Sequence, residues 1–245
     1  MDAARNLFAR YLEQRRESGD DALYFGTLTR DEAMGLAAGL PSSPAAGVTH
    51  GGAALNGRDL EVLREEAAVC TKCRLHEGRR KVVFGTGSEN ADVIVIGEAP
   101  GQEEDRTGQP FVGPAGKLLD RLLLSAGFPR QVVYICNVLK CRPPSNRNPQ
   151  ADEVAACSPY LRRQIELIRP RVLVAVGKFA AQTLLETDTS IGKLRGQVHR
   201  YHEIPLVTTF HPAYLLRSPR WTRAAWQDFQ LVRRVLDDAD LASGR

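Results

Sequence analysis

The chain has 245 residues, of which 43% are hydrophobic and 25% charged, and its formal net charge is +4. This composition is ordinary for a soluble globular protein with one full core. No apolar run approaches the ~20 residues that span a bilayer, and the first residues contain Asp2 and lack the apolar segment of a signal peptide. We therefore expect a cytoplasmic protein, and a monomer, with no membrane partner.

The first 56 residues are predicted to be a short helical extension of the main domain. Residues 1–17 carry an apolar stripe at helical spacing, and a second short helix is predicted near residues 30–38. The segment that begins at Pro41 is rich in Pro, Gly, Ser and Ala, which is typical of a linker. This places the boundary of the main domain, residues 57–245, near residue 56. The extension is either a partner-binding helix or a loosely docked appendage.

Four apolar runs in the main domain predict the strands of one sheet. They cover residues 92–97, 132–137, 171–176 and 206–209. Helical segments are predicted between and around them, over residues 58–69, 114–126, 152–168 and 178–185, with a last helix to about residue 235. This alternation predicts an α/β fold with a central, mostly parallel four-stranded sheet. Three of the runs are continuously apolar, as expected when helices cover both faces of the sheet.

Each predicted strand ends at residues suited to holding a small polar ligand. These residues are Gly97 and Glu98, then Asn137, then Gly177 and Lys178, and finally His211. Ligands of open parallel sheets bind just outside the carboxyl ends of the strands. We therefore expect Glu98, Asn137 and His211 to meet along one rim and to form a catalytic pocket.

Positive charge is concentrated in two stretches. Residues 193–227 contain six Lys or Arg and one acid, Glu203, and a second cluster consists of Lys140, Arg142 and Arg147. Clustered arginines near a pocket suit phosphate binding. A solvated basic face is the alternative.

Four of the five cysteines are placed to form one thiolate site. Cys70 and Cys73 form a C-x-x-C pair at the end of a predicted helix, Cys141 opens a proline-rich loop, and Cys157 lies in the next helix. Cys136 neighbours Asn137 in a strand and is expected to face the core. A disulfide is disfavoured in a cytosolic protein. Spacing alone leaves zinc and an iron–sulfur cluster equally open.

Four motifs, with the cysteines interleaved, carry a family resemblance. They are GEAPG at residues 97–101, GQPFVGPAG at 108–116, NVLKCRPPSNRNP at 137–149 and HPAYLLR at 211–217. Together they resemble the family-4 uracil-DNA glycosylases over roughly residues 57–235. The resemblance implies a three-layer α/β/α domain. It also implies a [4Fe–4S] cluster held by Cys70, Cys73, Cys141 and Cys157, which breaks the tie with zinc.

The implied activity is that of a monofunctional glycosylase of base-excision repair, whose partner is uracil-containing DNA. Such an enzyme flips uracil out of the strand and hydrolyses its N-glycosidic bond. In the motifs, Phe111 matches the residue that stacks on the base, and Asn137 the amide that reads uracil O4 and N3–H. His211 matches the hydrogen-bond donor to uracil O2, and Glu98 is expected to orient water at the sugar.

Further contacts are expected on both sides of this pocket. The backbone amides that should touch the base belong to Gly97, Glu98 and Ala99. Leu215 or Leu216 is expected to wedge into the base stack, with Arg217, Arg220 and Arg142 on phosphates. The alternative for the two leucines is that they are core residues at the start of a helix.

Two rival functions remain at this point. One is a protein that binds uracil-DNA covalently without turnover, as one branch of the uracil-DNA glycosylase superfamily does. That branch has Gln directly after the motif Glu, whereas this chain has Ala99 after Glu98. The other is a structural or redox iron–sulfur protein without glycosylase activity.

Overall fold

The computed structural model describes residues 53–243, with side chains from residue 59 to residue 240. The helices predicted at residues 1–17 and 30–38 and the linker from Pro41 lie outside the described residues. The domain boundary near residue 56 stays a prediction.

Residues 53–243 form nine α-helices and six strands. The helices are α1 (Ala53–Ala68), α2 (Leu75–Gly78), α3 (Gln102–Thr107), α4 (Pro114–Ser125), α5 (Ala151–Ile168), α6 (Lys178–Leu185), α7 (Ile191–Leu194), α8 (Pro212–Arg217) and α9 (Thr222–Ser243). The strands are β1 (Thr86–Gly87), β2 (Val93–Gly97), β3 (Tyr134–Asn137), β4 (Val172–Val176), β5 (Val198–Tyr201) and β6 (Ile204–Thr209).

The sheet has the order β1-β3-β2-β4-β6-β5. The four predicted strands are confirmed as its parallel centre, β3-β2-β4-β6. The predicted strand count was too small, because β1 and β5 add an antiparallel edge on each side. β1 has only two residues, and the side chains of β5 are partly exposed, so neither contains an apolar run.

Helices pack on both faces of this sheet, so the domain has three layers. Along β2, Ile94 and Ile96 point to one face, while Val93 and Val95 point to the other. The first face packs against α1, α5 and α6, and the second against α4 and α9. Burying each large apolar side chain stabilises the fold by ~1.5–3 kcal/mol. Cys136 is completely buried in the first core, as predicted from its place beside Asn137.

None of the helices within residues 53–243 has the length and apolar character needed to cross a bilayer.

Candidate active site

A cavity of about 680 Å³ opens at the carboxyl edge of the parallel strands. Glu98 follows β2, Asn137 ends β3 and His211 follows β6, and all three line this cavity. The convergence expected from the sequence is therefore present. The other predicted site residues that line it are Ala99, Phe111 and Arg217.

Asn137 presents an unpartnered amide oxygen in the cavity wall. Its side chain is only 1% exposed, and among the described residues nothing donates a hydrogen bond to its Oδ1 atom. A buried acceptor without a donor costs ~1–3 kcal/mol. Such an oxygen in a cavity wall indicates a place for a ligand's N–H group.

Gly97 makes the room that this amide requires. The β2–β3 register pairs Gly97 with Asn137 directly. A Cβ atom on Gly97 would overlap the amide oxygen of Asn137 and lie 2.6 Å from Cζ of Phe111. Only glycine therefore lets the amide and the aromatic ring approach the same spot.

The backbone of Asn137 is held from behind by Lys140. The ammonium Nζ atom of Lys140 donates to the carbonyl of Asn137 at 2.8 Å and to Oε1 of Gln164 at 2.5 Å. Gln164 in turn donates to the hydroxyl of Tyr134 at 3.1 Å. Lys140 is 2% exposed, so its inclusion in a phosphate-binding cluster was wrong. Its ammonium group is used to bind the carbonyl at the end of β3 and the side chain of Gln164.

Phe111 lies in a loop whose backbone is strained. Its φ angle is 51°, which is uncommon for a bulky residue and needs support from the surroundings. Arg130 supplies part of that support by donating to the carbonyls of Pro110 at 2.5 Å and Phe111 at 3.2 Å. Asp120 holds the guanidinium of Arg130 through an ion pair of 2.7 Å.

A carboxylate holds the other side of the same loop. Oε1 of Glu104 accepts hydrogen bonds from the backbone of Val112 at 2.9 Å and Gly113 at 3.0 Å. The ring of Phe111 is thereby fixed with its centroid 5.8 Å from the centroid of His211. The two rings are tilted by 32° and lie on neighbouring parts of the cavity wall.

His211 is the N-cap of α8, which fixes its tautomer. Its Nδ1 atom accepts a hydrogen bond from the backbone N–H of Ala213 at 3.1 Å. In a neutral imidazole the proton is then on Nε2. Burial, with a smaller contribution from the charge of Arg217, lowers the pKa of His211 to about 4. His211 is therefore a neutral Nε2–H donor at physiological pH.

The position of His211 depends on a glycine and on a buried ion pair. Gly177 has φ +101°, and a Cβ atom there would lie 3.0 Å from Cβ of His211. Beneath β6, Thr209 donates to Oδ2 of Asp228 at 2.7 Å. Arg195 binds the same carboxylate at 2.8 and 3.0 Å. These contacts tie the end of β6 to α9 just before His211.

Glu98 supplies a carboxyl group at the cavity edge. Its backbone carbonyl accepts a hydrogen bond from Leu139 at 3.0 Å, which joins the segments that follow β2 and β3. Burial raises the pKa of Glu98 above its ordinary value. The group therefore takes up a proton at a higher pH than an exposed glutamate does.

The sequence prediction missed several residues of the cavity. The missed polar ones are Glu104, Asn146, Asn148 and Tyr214, whereas Arg147 was expected only as part of a basic cluster and Lys178 only as a strand-end residue. Arg147 forms an ion pair with the fully buried Glu153 at 2.5 Å. The arginines of residues 137–149 were a sequence signal for this side of the cavity, although Arg142 itself binds Asn146 at 2.7 Å.

The two leucines of α8 have different environments. Leu215 is 1% exposed and packs in the core with Phe229, so its assignment as a DNA contact is corrected. Leu216 is 49% exposed and remains the candidate wedge. Arg220 is exposed beyond the end of α8.

A second, smaller cavity collects the four predicted metal-ligating cysteines. Cys70, Cys73, Cys141 and Cys157 all line it. Arg79 donates to Sγ of Cys141 at 3.4 Å, and the backbone N–H of Lys140 donates to Sγ of Cys157 at 3.2 Å. Within residues 59–240, whose side chains are described, no three His, Cys, Asp or Glu side chains are arranged to hold one metal ion in common.

Comparison with known proteins decides the family. The sequence pattern of the Uracil DNA glycosylase superfamily matches residues 84–230. The type-4 uracil-DNA glycosylase of Thermotoga maritima is 44% identical over 185 residues, which cover 75% of this chain and 92% of the relative. The chain belongs to the type-4 uracil-DNA glycosylase family.

Other relatives agree with this membership. The type-4 enzyme of Saccharolobus solfataricus is 42% identical over 187 residues, or 73% of this chain and 87% of the relative. The type-5 uracil-DNA glycosylase of Pyrobaculum aerophilum is 36% identical over 146 residues, or 53% of this chain and 64% of the relative. Type-4 relatives thus match a larger part of the chain than this type-5 relative does.

The geometry predicts how His211 titrates. Nitrogen-15 NMR of histidine-labelled protein should show the Nε2–H tautomer of His211, with the neutral form predominant from about pH 8 to about pH 5. The variant Arg217→Gln should move the pKa of His211 upward, because a nearby positive charge disfavours the imidazolium. A His211 ring that becomes cationic near neutral pH would contradict this account.

Proposed function

We propose that the chain hydrolyses the N-glycosidic bond of uracil in DNA and leaves an abasic site, as a glycosylase of base-excision repair. One observation carries the proposal. The unpartnered oxygen of Asn137 lies beside an aromatic ring and a neutral histidine in a cavity large enough for a nucleobase. The type-4 relatives at 42% and 44% identity are named as uracil-DNA glycosylases, which favours turnover over the covalent-binder and structural iron–sulfur alternatives.

Asn137 gives the cavity its preference for uracil. Uracil N3–H fits the unpartnered Oδ1 atom, and uracil O4 accepts from the amide nitrogen. Cytosine has a bare nitrogen at position 3 and an amino group at position 4. It would therefore oppose acceptor to acceptor and donor to donor. A site that leaves buried polar groups unpaired rejects such an analogue strongly.

Bond cleavage separates charge, and the cavity offers a group for each sign. As the bond between the sugar and the base breaks, its electron pair goes to uracil, and positive charge develops on the sugar. The Nε2–H group of His211 donates to uracil O2, where negative charge grows, and a well-placed donor of this kind contributes ~3 kcal/mol. A neutral imidazole suits this task, because it stabilises the negative charge through a hydrogen bond and keeps its own proton.

Glu98 is the group that stabilises the positive charge on the sugar. In its ionised form the carboxylate stabilises the cationic sugar and accepts a proton from the water whose oxygen bonds to the sugar carbon. Phe111 stacks on the flipped base and positions it between the other two groups. The backbone amides of Gly97, Glu98 and Ala99 complete the contacts with the base.

We further propose that Cys70, Cys73, Cys141 and Cys157 hold a [4Fe–4S] cluster. Four thiols around one cavity are the usual ligand set of such a cluster. The N–H···S hydrogen bonds from Arg79 and Lys140 suit sulfur atoms that carry negative charge. When bound, the cluster would cross-link α5 and the loop after β3 to the segment after α1. The four cysteines would thereby hold the loop after β3 in place beside Asn137.

The substrate in this proposal is DNA. Arg217 lines the cavity. Arg142 donates to Asn146, another lining residue, and the exposed Leu216 and Arg220 stand next to Arg217 and three residues after it in the chain. The monomeric state and the cytoplasmic location stay predictions.

The first test is release of uracil. A single-stranded oligonucleotide with one uracil should break at that position after treatment with the protein and hot alkali. His211→Ala should slow the reaction at least ~100-fold, the usual loss for a transition-state donor. Asn137→Ala should also greatly slow it, because uracil N3–H and O4 lose their partners. Asn90→Ala, a change at an exposed asparagine in a turn, is the control and should react normally. Absence of cleavage by the wild-type protein would refute the proposed function.

The second test is the pH dependence of the rate. Glu98 must be ionised to act, and burial raises its pKa, so the single-turnover rate should fall as the pH drops through that raised pKa. His211 takes up its proton only around its pKa of about 4, below the raised pKa of Glu98, so the first loss of rate on acidification belongs to Glu98. Glu98→Gln should be slower and should lack this acid limb. An unchanged acid limb in Glu98→Gln would exclude the assigned role.

The third test concerns the cluster. Protein purified without oxygen should be brown and contain about four iron and four sulfide per chain. Cys157→Ala should lose iron and unfold at a lower temperature. Cys136→Ala changes the buried cysteine outside the set and should keep its iron. Colourless protein with one zinc ion per chain would contradict the cluster.

A further inference from the structure

An aromatic side chain lies just outside the cavity, beyond α8. The ring centroid of Trp221 is 5.4 Å from that of Phe210, and Phe210 is 5.4 Å from Tyr214. Phe210 and Tyr214 both line the cavity. Trp221 therefore adjoins a residue of the cavity wall, and 37% of its surface is exposed.

The chain segment that contains Trp221 is positively charged. Residues 212–227 include Arg217, Arg220 and Arg223 and contain no Asp or Glu. The next acid, Asp228, is buried and pairs with Arg195. The guanidinium of Arg220 lies 5.7 Å from the centre of the Trp221 ring. We call Leu216, Arg217, Arg220 and Trp221 the basic ledge.

This combination matches the chemistry of a nucleic-acid strand. Exposed aromatic rings interleaved with cations bind single strands, because every base has a face that stacks and every nucleotide has a phosphate. A partner protein with an acidic surface would satisfy the arginines but would not require the ring beside a nucleobase cavity. The continuity with the cavity favours the DNA that enters it.

We propose that Trp221 stacks on an unpaired base of the DNA strand next to the flipped uracil, while Arg220 contacts the adjoining phosphate. This inference rests on the proposed function, because the strand reaches the ledge when its uracil occupies the cavity. It assigns Trp221 to substrate binding and gives the enzyme a contact that favours single-stranded or locally opened DNA. Stacking of this kind is independent of base identity.

The two tryptophans of the chain allow a direct test. Trp226 is 42% exposed on α9 and serves as the matched control. In Trp226→Phe, the remaining Trp221 should lose fluorescence on binding of a single strand that carries an uncleavable uracil analogue. In Trp221→Phe, the remaining Trp226 should change little. Equal responses of the two variants, or no response from Trp221, would overturn the proposal.

Kinetics provide a second readout that a packing role would not produce. Trp221→Ala should raise KM for single-stranded substrate about tenfold, the usual loss for one base–aromatic stack, and leave kcat nearly unchanged. Inhibition by free uracil, which fills only the cavity, should stay at its wild-type value. Trp226→Ala should change neither constant. If Trp221→Ala weakens inhibition by free uracil as much as it raises KM for the single strand, Trp221 supports the cavity through Phe210 and the proposal fails.

The failure of this inference differs from a failure of the proposed function. If the wild-type protein releases uracil and the Trp221 variants bind DNA normally, the role of the basic ledge is refuted and the glycosylase function stands. If the wild-type protein releases no uracil, both proposals are refuted.

Discussion

The pairing of Gly97 with Asn137 across two parallel strands is the contact on which the site depends. It brings a side-chain amide to the end of β3 against a residue with no side chain, so the ring of Phe111 fills the remaining space. The amide oxygen then stays buried without a donor among the described residues. The burial of the surrounding core offsets the free energy lost by this unpartnered oxygen, and Lys140 fixes the backbone behind the amide. A ligand N–H group at this place would supply the missing hydrogen bond.

Burial controls the charges of the site in opposite directions. It favours the neutral form of both His211 and Glu98, which lowers the pKa of the histidine and raises that of the glutamate. The histidine is thereby kept as a neutral donor at pH values well above its pKa of about 4. In the proposed reaction the carboxylate of Glu98 acts only above its raised pKa, whereas His211 acts in its neutral form. One physical effect would thus suit the two groups to different roles.

The sequence predicted the centre of this protein better than its edges. Continuous apolar runs identified the four parallel strands, and the polar residue at each strand end identified Glu98, Asn137 and His211. The edge strands β1 and β5 carried no apolar run and were missed. Leu215 and Leu216 are indistinguishable by residue type, and only packing separates the buried one from the exposed one. Glu104, which fixes the Phe111 loop, makes contacts that no local pattern encodes.

The most direct test of the account is a crystal structure of the protein with free uracil. We expect the base to stack on Phe111, with N3–H donating to Oδ1 of Asn137 and O2 accepting from Nε2 of His211. Uracil bound elsewhere, or bound in the cavity with the amide of Asn137 still unpartnered, would contradict the site.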